Sequence, residues 1–396
     1  MAMALGQVDT ANGAPHPVSI VGVQASNGAS LLYEGVAGVD VGDPNHWRPT
    51  GHVYVRNNSS STVTVKSIAL SYQGQVAPTP TGAVSGKTIS PGQTEALVLP
   101  ECRLFEFPVA SLISIHVIVE DYNEALSTTY SLAHFSHPTP DGTYPFPMKV
   151  SEVEYDDTYL ATGSNHGYGS NHAGSTRQRF AYDFHARRWT GSQWSTLRPD
   201  KDGTKPDDYL IWGQPVYAVA SGKIVKGQRS IPDGAIDQDN SPGGNDLWIR
   251  ADSDDQEAET IMLYAHLQQW SIPEELVPIE NGPGPNVTKG QFLGLVGKSG
   301  TKKPHLHFHV QRGNGTFDSN GEPAGQGLPI RFSNFYQRSY TDGYNPDTDS
   351  WDWNHGTGTG IAENCLIVAE AADWVGPIKT TGLEPRGSHT RAKAER

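Results

Sequence analysis

Cysteine is nearly missing from this sequence: Cys102 and Cys365 are the only 2 in 396 residues. That scarcity excludes a Cys-based zinc knuckle and a disulfide framework, and leaves a single bridge or two inert thiols open. Any metal site must then be built from His, Asp and Glu. Basic residues are also few, with 29 Lys and Arg against 43 Asp and Glu and a formal charge of −14. No nucleic-acid partner is expected, because phosphate binding needs a basic face that releases counterions. The same deficit argues against adhesion to anionic lipid. No apolar run approaches the ~18 residues of a membrane span; the best, Leu112 to Val119, is interrupted by Ser114 and His116. The start of the chain, Met1 to Gln7, lacks the charged region and apolar core of a signal peptide.

What is abundant is turn-forming. Gly 43 and Pro 28 make up about 18% of the chain, against about 12% in average usage. The length predicts two or three domains. From residue 18 to 136 the apolar residues alternate: Val53 and Val55, Val63 and Val65, then Ile113, Ile115 and Val117. Period two marks half-buried strands. The breaks at 57–61, 78–82 and 90–92 are rich in Asn, Ser, Pro and Gly. This pattern predicts an all-β protein whose N-terminal part is an immunoglobulin-like β-sandwich, although the Cys…Trp…Cys core of that fold is absent. A Pro-rich stretch, 137–147, reads as a linker. Beyond it, 148–340 reads as a second domain, 341–375 as an extension and 376–396 as a disordered tail. Long Pro/Gly/Asn/Asp-rich loops are expected at 229–245 and 271–287.

Histidine carries the chemical signal. His305-Leu-His307-Phe-His309 places three imidazoles at alternate positions. On a strand they share one face, with successive Cα atoms about 7 Å apart, and Leu306 and Phe308 fill the opposite face. A bland alternative is a polar sheet face with exposed histidines. Asp183 stands between large apolar residues in Phe180-Ala-Tyr-Asp183-Phe184, a costly place for an unpartnered carboxylate. His166 and His172 lie in the loop before it, and His266 sits inside the apolar run Leu263-Tyr-Ala-His266-Leu267. Taken alone, His266 is more often a satisfied core histidine than a functional one.

These segments together resemble the lysostaphin-type (LytM-type) zinc endopeptidases, which cut peptide cross-bridges in bacterial cell walls. The resemblance covers about residues 145–336. It includes Pro215 to Val225, Tyr264-Ala-His266-Leu, Val287 to Gly300, and above all Pro304-His305-Leu-His307-Phe. It implies a C-terminal antiparallel β-sheet peptidase domain with one Zn2+, bound by His172, Asp183 and His307. His305 and His266 would act on substrate and water. Many members space the first His and the Asp four residues apart, whereas His172 and Asp183 are eleven apart. A subgroup with a longer loop and an Ala-x-Asp-Phe strand matches better, and His166 remains an alternative to His172. The implied partner is peptidoglycan or a Gly-rich peptide, the implied location extracellular or periplasmic, and the implied state a monomer.

Two imidazoles and a carboxylate leave an open zinc position for water, the catalytic arrangement. The helical H-E-x-x-H motif is absent, so no glutamate base is expected. His309 could orient the site or lie at a groove edge. A cupin site would need a glutamate soon after the H-x-H pair, and Phe308 to Arg312 has none. A non-haem iron oxygenase uses the same ligand types, but normally with an H-x-D pair. Gly297 to Thr301 lacks the final Gly of a nucleophile elbow. The run Asp252 to Glu259 lacks the Gly of an EF-hand loop. Two other readings stay open: a zinc hydrolase of the same fold acting on non-peptide esters, and an inactive cell-wall-binding module.

Overall fold

The computed structural model describes residues 16–24, 31–36, 46–50, 52–72, 75–76, 86–99, 102–103, 110–122, 125–134, 144–148, 158–163, 177–178, 180–238, 243–252, 259–278, 284–317, 321–328, 330–333, 335–341, 343, 345, 354–356, 361 and 365–369. Among the described residues the regular structure is strand, with two short 3-10 turns at Pro206–Asp208 and Glu274–Leu276. No helix among them is long and apolar enough to cross a membrane.

The alternating N-terminal segments form two sheets. Val18–Gln24, His52–Asn57 and Thr94–Val98 make a three-stranded sheet, and a larger sheet is centred on Val63–Tyr72, Ala110–Val119 and Leu126–His134. Side chains from both meet in one core: Ile20, Val53, Val55 and Leu97 from the first, Val65, Ile68, Ile113, Ile115 and Val117 from the second. The residues that interrupt the apolar run therefore belong to the other face. His116 there bonds Ser71 Oγ at 2.7 Å and Ser127 Oγ at 2.7 Å. Two sheets sharing one core are present. One pairing, Leu126–His134 with Leu31–Val36, is parallel.

The second unit is built on a twelve-stranded sheet. Its central strand, Leu306–Phe317, runs antiparallel to Thr260–Leu267 on one side and to Tyr182–Trp189 on the other. Beyond Thr260–Leu267 lie Asn245–Ala251 and then Gly222–Gln228. Because strand side chains alternate, each of these strands has two characters. Leu306, Phe308 and Val310 join Tyr182, Phe184, Met262, Tyr264, Leu247 and Ile249 in the main core. Tyr264 keeps its polar end satisfied there, its Oη accepting the Val219 N–H at 2.9 Å. The other face carries His305, His307, His309 and their cross-strand neighbours.

The ends of this unit extend beyond the sequence-based boundaries. Tyr144 and Phe146, inside the stretch read as a linker, are buried in its core, and Phe146 stacks on Phe332 with centroids 4.6 Å apart. Aromatic burial outweighs the local Pro signal at these two positions, and residues 137–143 lie outside the described residues. Likewise Cys365–Ala369, in the stretch read as an extension, pairs with Thr158–Thr162 and Phe335–Ser339 inside the sheet. The tail 376–396 lies outside the described residues.

Candidate active site

The register of three strands assembles the site. Asp183 is directly opposite His307, and His307 is directly opposite Ala265. Asp183 Oδ1 lies 3.0 Å from His307 Nδ1, and Asp183 Oδ2 lies 3.6 Å from His305 Nε2. The imidazoles are not an exposed polar face: His305, His307 and His309 are 9%, 2% and 1% exposed. His266 closes the group from the neighbouring strand end, with ring centroids 4.7 Å from His305 and 5.9 Å from His307.

His266 is held in an unusual backbone conformation, with φ at 64°. Non-glycine residues rarely adopt that region, and they cluster where function fixes them. Its Nδ1 lies 2.8 Å from the Ser299 carbonyl oxygen. A carbonyl only accepts, so Nδ1 carries the proton and Nε2 keeps its electron pair. By the same argument His305 donates Nδ1–H to the Lys303 carbonyl at 2.9 Å. Burial first, and then the neighbouring His305 and His307, hold His266 well below the usual histidine range. His266 is therefore a neutral base at physiological pH.

A buried polar network fixes the Ser299 carbonyl. Ser299 Oγ donates to the Leu267 carbonyl at 2.7 Å and accepts the Asn245 N–H at 2.8 Å. Asn245 in turn ties the Ile231 backbone through bonds of 2.8 Å in both directions. Lys298 donates to the Asp233 and Gln238 carbonyls at 2.9 and 2.8 Å. Gly244, with φ +62, belongs to the same junction; a Cβ there would stand 2.0 Å from the Ser299 carbonyl oxygen. Sequence reasoning missed this network, because its members gain meaning only from contacts across 14 to 65 residues of chain.

Two other residues on the site face were also missed. His185 lies two positions after Asp183, with its ring 5.5 Å from His305. Its pKa is pushed down to about 3, by removal from water and then by His305. The period-two spacing Asp183-x-His185 was the available signal. Asp246 stands opposite Ala265 and is buried. Its Oδ2 accepts the Trp248 indole N–H at 3.1 Å and lies 3.8 Å from Lys226, while Oδ1 has no hydrogen-bond partner among the described residues. Lys226 also pairs with Glu322 at 3.6 Å.

Of the residues expected at a zinc site, Asp183, His307, His305 and His266 are brought together, whereas His172 and its alternative His166 lie outside the described residues. Among the described residues no group of three or more His, Cys, Asp or Glu is arranged to hold a metal ion. What is present is a pair of donors. A carboxylate oxygen and an imidazole nitrogen 3.0 Å apart are close to the ~3.3 Å edge of a tetrahedron with bonds of ~2.0 Å. Their types and spacing fit two of the three protein ligands of a catalytic zinc.

Residues 209–319 match the model of peptidase family M23. That span holds His266, His305 and His307 and begins after Asp183. Comparison with curated proteins finds no match. Among solved structures the chain is similar to a protein assigned to peptidase M23 from Pseudomonas aeruginosa, with 15% identity, 62% of this chain and 82% of that one covered, and a TM-score of 0.21. It is also similar to Helicobacter pylori Csd3, with 15% identity, 55% and 48% covered, and a TM-score of 0.24. For LytU the values are 21% identity, 33% and 87% covered, and a TM-score of 0.15. The chain spans about half the length of Csd3.

Proposed function

Because the chain carries a peptidase domain of family M23 over residues 209–319, we propose that it is a zinc-dependent endopeptidase. Its substrates in this reading are peptide bonds of peptidoglycan cross-links or of Gly-rich peptides, which sets it to work outside the cytoplasmic membrane. The observation that carries the reading is the 3.0 Å approach of Asp183 Oδ1 to His307 Nδ1, flanked by His266 and His305. Asp183 and His307 would hold the metal together with His172. The N-terminal two-sheet unit is read as an immunoglobulin-like accessory module.

A bound zinc supplies a Lewis acid and lowers the pKa of a coordinated water to about 7. The chain's own groups do the rest. His266 and His305 each hold Nδ1 on a backbone carbonyl and leave Nε2 for proton transfer, so they would take the proton of the attacking water and deliver it to the leaving amine. Once protonated, either ring can donate a hydrogen bond to the oxyanion. One such donor is typically worth on the order of 3 kcal/mol of transition-state stabilisation. The Ser299 and Lys303 carbonyls fix both rings in the tautomer that this requires.

The test is a mass-spectrometric digest of purified peptidoglycan and of pentaglycine. Wild type is expected to bind close to one zinc per chain and to release new peptide ends. A chelator abolishes release, added zinc restores it, and His307→Ala releases none. Unchanged cleavage by His307→Ala refutes the metal-site assignment, and turnover of activated esters alone would move the substrate class.

A further inference from the structure

Two buried residues of the site face take no part in that chemistry: His309 and Gln311, 1% and 0% exposed. Buried polar side chains need partners, and these form a single row. Gln311 Nε2 donates to the Pro323 carbonyl at 2.8 Å. Gln311 Oε1 lies 3.2 Å from His309 Nε2, and His309 Nδ1 lies 3.0 Å from His307 Nε2. His307 Nδ1 then faces Asp183 Oδ1.

The far end of the row sets its direction. The Pro323 carbonyl can only accept, so the amide nitrogen of Gln311 turns to it and the amide oxygen turns to His309. An amide oxygen also only accepts, so the proton of His309 is on Nε2. In that orientation His309 Nδ1 can accept Nε2–H from His307, the direction that leaves His307 Nδ1 for a cation. The reverse tautomer would set two acceptors, His309 Nε2 and Gln311 Oε1, 3.2 Å apart. A cation between His307 Nδ1 and Asp183 Oδ1 would then take an electron pair from each, whereas without one the carboxylate accepts from Nδ1–H.

We infer that Gln311 and His309 are positioning residues that lock His307 as the Nε2–H tautomer, so that its Nδ1 and Asp183 Oδ1 are presented together as donors to a cation. The inference rests on the zinc reading given above. The surroundings suit the role. The Trp248 ring packs edge-on against His309, with centroids 5.6 Å apart and planes at 76°. Gly325 keeps the neighbouring strand close, since a Cβ there would lie 2.2 Å from the Arg312 carbonyl oxygen and 3.0 Å from Gln311 Nε2. Partners of this kind behind a ligating histidine typically change metal affinity by about 10–100-fold.

The experiment measures zinc affinity of the full chain by competition with a chromophoric chelator, for wild type, His309→Phe, Gln311→Met and His309→Gln. Long-range 1H–15N spectra of the zinc-loaded wild type read which His307 nitrogen carries the proton. His309→Phe and Gln311→Met are expected to lose about 10–100-fold in affinity. His309→Gln can accept from His307 and donate to Gln311 in the same direction, and should stay within about threefold of wild type. The spectra should show the His307 proton on Nε2, a readout that needs no variant to fold. A proton on Nδ1 overturns the inference, as does a His309→Phe protein that binds zinc as tightly as wild type. Wild type that takes up no zinc overturns the functional reading and the inference with it.

Discussion

Asp246 is a buried carboxylate on the site face that the proposed chemistry does not use, and its environment makes a quantitative demand. Burial raises its pKa from 3.8 to about 6, although Lys226 and the Trp248 N–H pull the other way. An acid whose folded pKa lies above its unfolded value contributes stability that is complete below the unfolded pKa and lost as pH rises through the folded one. Here that window runs from about pH 4 to pH 6, and the loss amounts to about 3 kcal/mol. Asp246→Asn removes the ionisation while its amide oxygen keeps the Trp248 bond. The amide NH2 then occupies the place of the unpartnered Oδ1, a penalty of about 1 kcal/mol. Lys226 retains Glu322. The variant should therefore be more stable than wild type by about 2 kcal/mol above pH 7. Urea unfolding followed by tryptophan emission, at steps from pH 3.5 to 8, gives the difference curve directly. It should change between pH 4 and 6 and be flat on either side. A variant less stable than wild type at pH 7.5, or a difference independent of pH, refutes the reasoning.

Replacing His266 by Asn should lower kcat by about 10²–10³ on peptide substrate, because one donor and base is lost. Asn tolerates positive φ better than Ala, so chemical denaturation of His266→Asn should stay near wild type while His266→Ala loses stability as well. Phe332→Ala empties the stacked partner of Phe146 in the core and should cost about 3–5 kcal/mol in urea unfolding. A loss below 1 kcal/mol would mean that Tyr144 to Met148 do not belong to that core.

Much of the fold could be read from period and residue type. The alternation at Val53 to Val55 and Ile113 to Val117 gave the inward faces of the N-terminal sheets, because a pleated strand leaves no other choice once one face is buried. The alternation His305-Leu-His-Phe-His309 separated site from core for the same reason. Asp183 was legible as an anomaly, a carboxylate among aromatics that needed a partner. Residues whose role is set by tertiary neighbours were not legible. Gln311 is an ordinary strand residue until the Pro323 carbonyl fixes its amide, and Asn245 and Ser299 meet across 54 residues of chain. The Pro signal at 137–147 masked Tyr144 and Phe146, since local turn chemistry says nothing about which aromatic face a distant Phe332 will cover.

The site and the core of this domain are two consequences of one register. Asp183, His307, Ala265 and Asp246 form a row across four neighbouring strands, with strands about 4.8 Å apart. Ala265, the smallest of the four, sits between two buried polar groups and leaves room above the sheet. A one-residue slip of Leu306–Phe317 would turn Phe308 into the site and His307 into the core. The core opposes such a slip, because Phe308 packs against Tyr264 with centroids 5.1 Å apart and is flanked by Leu306 and Val310. The imidazoles bring little packing energy of their own, and buried polar groups cost free energy wherever their bonds are incomplete. Their placement is thus set by the apolar residues behind them and refined by the bonds from Ser299, Lys303 and Gln311. It follows that isosteric changes at His305 or His307 should abolish chemistry while leaving the fold intact. Loss of volume at Phe308 should instead damage site geometry and stability together, although its side chain never faces the substrate.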